Sequence, residues 1–487
     1  MRLHPGALLA CVVLLMQTTA SATLVNSNLI RTVTLGASGY VSEQIGVVVQ
    51  NTDAQASHTT YLVQAGDSTK QGRLASLHVH ERKSGRELPV TRQGTEYVVT
   101  LAAALKSGDK IGLSIDAVYT QMVRPLPEGN VAQTDDQRWA WDDALLVASP
   151  YPTRKQKTIV ALDKSARLVR YEGTRGSLSD QSGNVVFGPF AGSDREAVGN
   201  GRVVYVSNAE HLEATHVRRE YFASHWDDTL HVSDSFDVRN AGPQTPGHAV
   251  DSVQRMMTRF TGARDNLVKQ FAQHVPVDAR EVFFVDAIGN VSTSAVDRVP
   301  GSPGKRMLRL KPRFPLAGGW RYAWRHGYRL PLGQHLRHDA SGRFRLRVPF
   351  IEPLVASAAD DKQPVRSERT AAVLAYELHV TLPQGARNVA VHAAFDAEYS
   401  VQRAKHYLDA PGVARPVVVV AMRNVPPEMM REHVVVSYDL SWAAVWLKPA
   451  AVAACVLALF ALASVVGRLQ LGLAPVAGKA KAKAKAD

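Results

Sequence analysis

Hydrophobic and polar residues alternate with a period of two in many short stretches of the chain. Examples are Leu77 and Val79; Ile111, Leu113, Ile115, Ala117 and Tyr119; Leu230, Val232, Phe236 and Val238; Phe344, Leu346 and Val348; and Leu378, Val380 and Leu382. Successive side chains on a strand point to opposite faces, so this spacing predicts strands with one buried face. Turn formers separate them, among them Lys106-Ser107-Gly108-Asp109, Ser182-Gly183-Asn184 and Ala340-Ser341-Gly342, where glycine or asparagine accepts a positive φ. Helical periodicity is confined to short stretches around Thr370 to Ala375 and Pro426 to Glu432. The expected fold class is therefore mainly β, with two β-sandwich-like domains. Asn240 to Gly247 breaks a clear strand and carries two glycines and two prolines, which places the division near residue 242. Leu126-Pro127-Glu128-Gly129 and Leu382-Pro383-Gln384-Gly385 read either as equivalent turns of duplicated domains or as a common turn sequence.

Two segments depart from the alternation. Arg2, the apolar run Ala7 to Met16 and the small residues Ala20-Ser21-Ala22 predict a cleaved signal peptide over 1–22. Pro449 to Gly467 carries no charge, and its 19 residues would span roughly 28 Å as a helix, close to the hydrocarbon thickness of a bilayer. A buried core helix is the competing reading. Trp442 and Trp446 before the run, and Arg468, Lys479, Lys481, Lys483 and Lys485 after it, favour a transmembrane helix over 445–467 with a cytosolic tail over 468–487. The first β-rich domain, 23–242, and the second, 243–444, are then lumenal. The Lys-Ala tail reads either as a lipid-attracting segment or as a solvated stub.

Length supports two domains, because 487 residues exceed what one ordinary core organises. The net charge of +13 changes little: between Thr23 and Leu447 there are 50 basic against 43 acidic residues, spread without a long basic block. No nucleic-acid partner is expected from such a surface. The only cysteines are Cys11 and Cys455, so the lumenal part forms no disulfide and offers neither thiol catalysis nor cysteine-ligated zinc.

Candidate chemistry is sparse. Asp135-Asp136, Asp142-Asp143, Asp227-Asp228 and Asp360-Asp361 are adjacent pairs that would alternate faces on a strand, so they read as solvated turns rather than a metal site. His211 and His216, five apart, splay on a helix and fit a polar strand face or loop better than a zinc centre. No catalytic, cofactor-binding or metal-binding residue is expected, and no cofactor. Asn290-Val291-Ser292 is an N-glycosylation sequon that marks Asn290 as a glycan acceptor; the other reading is an unused sequon in a Gly289-Asn290 turn.

Several longer words run through the chain in order: Ala117-Val118-Tyr119-Thr120, Ser149-Pro150-Tyr151-Pro152-Thr153, Gly188-Pro189-Phe190, Ser224-His225-Trp226, Ile288 to Ser294, Pro312 to Trp320, Tyr328-Arg329-Leu330-Pro331 and Leu382 to Ala386. Together they resemble the ribophorin I family, subunit 1 of the eukaryotic oligosaccharyltransferase complex. The resemblance implies an accessory, non-catalytic subunit of the endoplasmic-reticulum complex that transfers a dolichol-diphosphate-linked oligosaccharide to sequon asparagines of nascent proteins. It further implies a lumenal scaffold whose partners are the multi-spanning catalytic subunit, other complex subunits and nascent chains, held in the membrane through one helix. About twenty residues follow the helix, with no sequence for the cytosolic helical bundle of animal relatives, which leaves ribosome docking through this subunit open. A type I membrane β-sandwich receptor or adhesion protein, and a lumenal hydrolase assembled from distant residues, are the alternatives from other classes.

Overall fold

Strand Lys110–Thr120 shows how the alternation works: Leu113, Ile115, Ala117 and Tyr119 are buried, while most residues between them are half-exposed. A computed structural model describes residues 24–469 of the chain, apart from 37–38, 180–182, 193–197, 254–255, 257–265, 300–302, 358–369, 396–397, 407–408 and 411. The expected signal peptide, Asp360-Asp361 and residues 470–487 of the expected tail lie outside the described residues.

The strands form two sets with the same topology. In the first, the large sheet runs Gly176–Leu178, Val185–Ala191, Lys155–Leu162, Leu24–Leu35, Tyr40–Asn51, Lys110–Thr120, Leu74–Glu81. In the second it runs Glu398–Ala404, Arg415–Val425, Ala372–Thr381, Leu212–Ser224, Thr229–Asn240, Arg321–Pro331, Arg280–Asp286. These are corresponding strands in corresponding places. The first strand of each set pairs antiparallel with the second and parallel with a strand from much later in the chain.

The smaller sheets repeat as well. Arg167–Glu172, Asn200–Val206, Arg138–Ala144, Val123–Pro125 matches Arg387–Ala393, His433–Asp439, Phe344–Pro349, Leu336–His338. His58–Gln64, Glu96–Leu105, Val90–Gln93 matches Gln270–Pro276, Lys305–Leu310, Ala295–Arg298. Among the described residues, the ladder of Leu74–Glu81 with Glu87–Leu88 is peculiar to the first set and that of Gln270–Pro276 with Val355–Ser357 to the second. The two Leu-Pro-x-Gly words do not mark this duplication. One follows Val123–Pro125 and the other Ala372–Thr381, which are not counterparts, and Gly385 has φ 83° whereas Gly129 stays outside the left-handed region.

Pairing divides the chain between Val206 and Leu212 rather than near residue 242. The hairpin Leu212–Asn240 opens the second set, where each strand finds its other neighbour in Ala372–Thr381 or Arg321–Pro331. The glycine- and proline-rich break leads from one sheet to another inside that set. Its chain passes so close to Gly318 that a Cβ there would meet the Pro243 carbonyl. The expected helix at Thr370 to Ala375 is instead the start of strand Ala372–Thr381, because its apolar residues join a central strand; Pro427–Arg431 is a 3-10 helix.

The sets meet at Gly39 and Tyr40. The Tyr40 hydroxyl donates to the Val425 carbonyl at 2.7 Å and accepts from the Val373 N–H at 3.1 Å. Its ring joins the core of the second set, and a Cβ on Gly39 would lie 2.8 Å from the Ala372 Cβ. Beyond His433–Asp439 come a short turn of helix, Trp442–Val445, and the helix Leu447–Arg468. The latter has 22 residues, is long and apolar enough to cross a membrane, and buries none of its most apolar 18 residues against the sheets. Its root rests on the Pro383 to Ala386 turn, where a Cβ on Gly385 would lie 2.7 Å from the Ala444 Cβ.

Candidate functional site

The sequon lies in a turn closed by its own short-range bonds. Strand Arg280–Asp286 ends at an aspartate whose Oδ1 accepts from the Ile288 and Gly289 N–H groups, at 3.0 and 3.1 Å. Gly289 turns the chain with φ 135°, and the Val291 N–H returns to the Phe284 carbonyl at 2.8 Å. Val291 is buried, which leaves Asn290 and Ser292 exposed on either side of it.

Two of the sequence words meet here. The Arg313 guanidinium donates from Nε to Asp286 Oδ2 at 2.6 Å and from Nη2 to the carbonyls of Gly289 and Asn290 at 3.2 and 3.0 Å. The Tyr322 hydroxyl donates to the same Asp286 oxygen at 3.0 Å, and the Thr293 hydroxyl to the Lys311 carbonyl at 2.8 Å. The Arg313 contact, helped by the Tyr322 hydroxyl and the two turn N–H groups, holds the Asp286 carboxyl down at about 2. Phe314 packs edge-on against Trp320 and Tyr322, while Gly319, at φ 80°, donates to the Asn240 carbonyl. Trp320 is half-buried against the core of the second set. Sequence analysis singled out both words without linking them, because no local signal joins Arg313 to Asp286.

The acidic pairs divide. Asp142 and Asp143 sit on strand Arg138–Ala144 and are not a solvated turn. Asp142 faces Arg124 and Arg202, whereas Asp143 turns inward to a buried quartet with Arg31, Lys70 and Glu43. Lys70 Nζ bridges the two carboxylates at 2.7 and 2.8 Å, Arg31 contacts both, and Arg31 also lies over the Trp141 ring. Burial alone would raise Glu43 and Asp143, but the two cations outweigh it and hold both below the ordinary range. Asp136 pairs with Arg167 in the expected exposed manner, and Asp227 accepts from Thr229 within the hairpin turn.

The two histidines separate too. His211 is buried, its ring centroid 3.9 Å from that of Trp139, and burial lowers it to about 4; His216 lies on the strand face toward Glu377. A further network that sequence reading missed fills the second core. Arg219 pairs with Asp234 at 3.2 Å, and neutral His326 accepts at Nδ1 from the Trp324 indole while Nε2 donates to Gln273 Oε1 at 2.6 Å. Burial, with Arg219 adding to it, lowers His326 to about 3. Among the described residues, no three His, Cys, Asp or Glu side chains converge as a metal ion would require.

Among the described residues, the chain is a duplicated multi-sheet β protein with charged groups sealed inside its units and one helix long and apolar enough to cross a membrane. Residues 24–467 match the family model described as Ribophorin I, and the chain belongs to that family. It is 26% identical over 408 residues to dolichyl-diphosphooligosaccharide–protein glycosyltransferase subunit 1 of Caenorhabditis elegans, covering 83% of this chain and 64% of the relative. With subunit 1A of Arabidopsis thaliana it shares 28% identity over 347 residues, covering 71% of this chain and 52% of the relative. The chain thus spans between about half and two thirds of the length of these curated relatives. Among solved structures, an M1 zinc metallopeptidase from Deinococcus radiodurans aligns over 48% of this chain and 52% of its own, at 13% identity and a TM-score of 0.24, too slight a likeness to carry a shared fold.

Proposed function

We propose that this chain is an accessory, non-catalytic subunit of the oligosaccharyltransferase complex. It holds its duplicated sheets in the endoplasmic-reticulum lumen as a type I membrane protein, and Leu447–Arg468 crosses the bilayer. The observation that carries the proposal is the family match, which runs without a break through both units and into that helix. A receptor or adhesion protein would not account for a match of that extent. The scaffold role is supported by the use made of the charged groups: the inward-facing carboxylates of Glu43, Asp143 and Asp234 are committed to Arg31, Lys70 and Arg219. Asn290 is the proposed glycan acceptor, supported by its exposure on a turn whose shape does not depend on its side chain.

On this reading the multi-spanning subunit binds the lipid-linked donor and performs transfer, and this chain holds neighbouring subunits and flanks the nascent polypeptide. Purification of the tagged chain in mild detergent tests it. Co-recovery of a multi-spanning transferase subunit, with underglycosylated proteins on depletion of this chain, is the expected result. Recovery of the intact chain without such a subunit would overturn the assignment.

A further inference from the structure

The duplication gives the hairpin turn that opens each unit an equivalent in the other. In the first unit this turn leads into Tyr40, which is 6% exposed because its ring and hydroxyl are taken up by the second unit. In the second unit the equivalent turn, between Leu212–Ser224 and Thr229–Asn240, carries Trp226, which is 61% exposed. The turn itself is firmly held. His225 Nε2 is 2.6 Å from the Tyr438 hydroxyl, the Thr229 hydroxyl donates to Asp227 at 2.7 Å, and the Leu332 N–H donates to the Asp228 carbonyl at 3.0 Å. A large ring on a rigid tip, left open to water, leaves its hydrophobic stabilisation unused.

The ring is not isolated. Its centroid lies 5.8 Å from that of Trp446, which lies 5.8 Å from that of Trp442, and the apolar helix begins at the next residue, Leu447. Trp226 therefore stands at the level at which the chain enters its membrane-length helix. Three tryptophans at one depth suit the boundary between headgroups and acyl chains, where the ring buries its apolar body and keeps its N–H solvated. The helix root cannot carry this level away, since Ala444 is seated on the Gly385 turn of the same unit.

We propose that the Trp226 turn is a membrane-docking element that inserts its ring into the lumenal lipid interface and seats the second unit on the bilayer. The lipid occupies the place that the second unit occupies beneath the Tyr40 turn of the first. The proposal rests on the reading that Leu447–Arg468 crosses the bilayer.

The test uses the full chain reconstituted in phosphatidylcholine vesicles whose acyl chains are brominated either near the glycerol or near the chain end. The emission lost on Trp226→Phe isolates the Trp226 signal, and the emission lost on joint replacement of Trp442 and Trp446 by Phe reports the helix entry. Expected is a loss of the Trp226 signal with bromine near the glycerol and a smaller loss with bromine near the chain end, matching the helix-entry pair. An unchanged thermal midpoint in Trp226→Phe shows that the fold survives. Quenching of the helix-entry pair with full emission from Trp226 would overturn docking while leaving the membrane span intact; a ring covered by another protein gives the same result. Full emission from all three would overturn the span, and docking with it.

Discussion

Arg313 holds Asp286 through Nε at 2.6 Å and, through Nη2, the carbonyl of Asn290 at 3.0 Å, so one guanidinium fixes both ends of the sequon turn. The Asp286 carboxyl is held at about 2 in the folded protein against about 4 in an unfolded chain. A depressed carboxylate contributes stability that is fully present above the unfolded value and is lost as pH falls through the folded one. Asp286→Asn should therefore cost on the order of 1–3 kcal/mol at neutral pH and flatten the stability profile between about pH 4 and 2, measured by denaturant unfolding. A variant with the parent's acid limb would show that Asp286 does not carry it.

Asn290→Gln and Ser292→Ala should each remove the mass of one glycan, because the acceptor amide and the hydroxyl two residues on are both required. Neither side chain braces the turn, so the unfolding midpoint of deglycosylated protein should stay within about 0.5 kcal/mol of the parent. Unchanged electrophoretic migration in both variants would mean an unoccupied sequon.

Glu43→Gln leaves Arg31 and Lys70 with only Asp143 in a buried setting and should destabilise by about 3–5 kcal/mol. Replacing Arg31, Glu43, Lys70 and Asp143 together by apolar residues of similar size should cost less than the sum of the single changes. A mutant cycle in urea separates the two outcomes; additive losses would contradict a coupled network.

His211 is neutral in the fold and reaches its folded value only at about 4, so below an unfolded value of about 6.5 the unfolded chain takes up a proton that the native one does not. Stability is then flat above that pH and declines as pH falls toward 4. His211→Phe keeps a ring against Trp139 and should reduce the pH slope in this window by about 1.4 kcal/mol per pH unit. Urea midpoints at pH 7 and 5 check it: the parent should fall more than the variant.

Gly385→Val places a branched side chain at φ 83°, with its Cβ 2.7 Å from the Ala444 Cβ. The Pro383 to Ala386 turn should lose its seat for the helix root, with a loss on the order of 1–3 kcal/mol and faster proteolysis between Leu440 and Trp446. Gly342→Val, also at positive φ but with open space around it, is the control and should leave the rate at that segment unchanged.

The strands were legible wherever one face is buried and the other wet, as in Lys110–Thr120 and Phe344–Pro349, because alternation is a local signal. The helix Leu447–Arg468 was legible because an unbroken apolar run is likewise a local signal. Asp142-Asp143 was misread because the deciding partner, Arg31, stands 112 residues away on another strand. The unit boundary was misplaced because a glycine- and proline-rich turn looks the same between sheets of one unit as between units. Strand Ala372–Thr381 opens with residues equally fit for a helix, and only pairing with Leu212–Ser224 and Arg415–Val425 decides it. The duplication left no shared words at equivalent turns, so it shows only in the ladder order.

The parallel pairing of Leu212–Ser224 with Ala372–Thr381 puts Leu212, Ala372 and the Tyr40 seat at one end of the second sheet, and Trp226 and the Gly385 turn at the other. That sheet is then a spacer of fixed length. Thirteen residues of strand, at about 3.3 Å each, set the Tyr40 seat roughly 40 Å from the Trp226 turn. Whatever the first unit touches is then chosen by its distance from the Trp226 turn as much as by its chemistry.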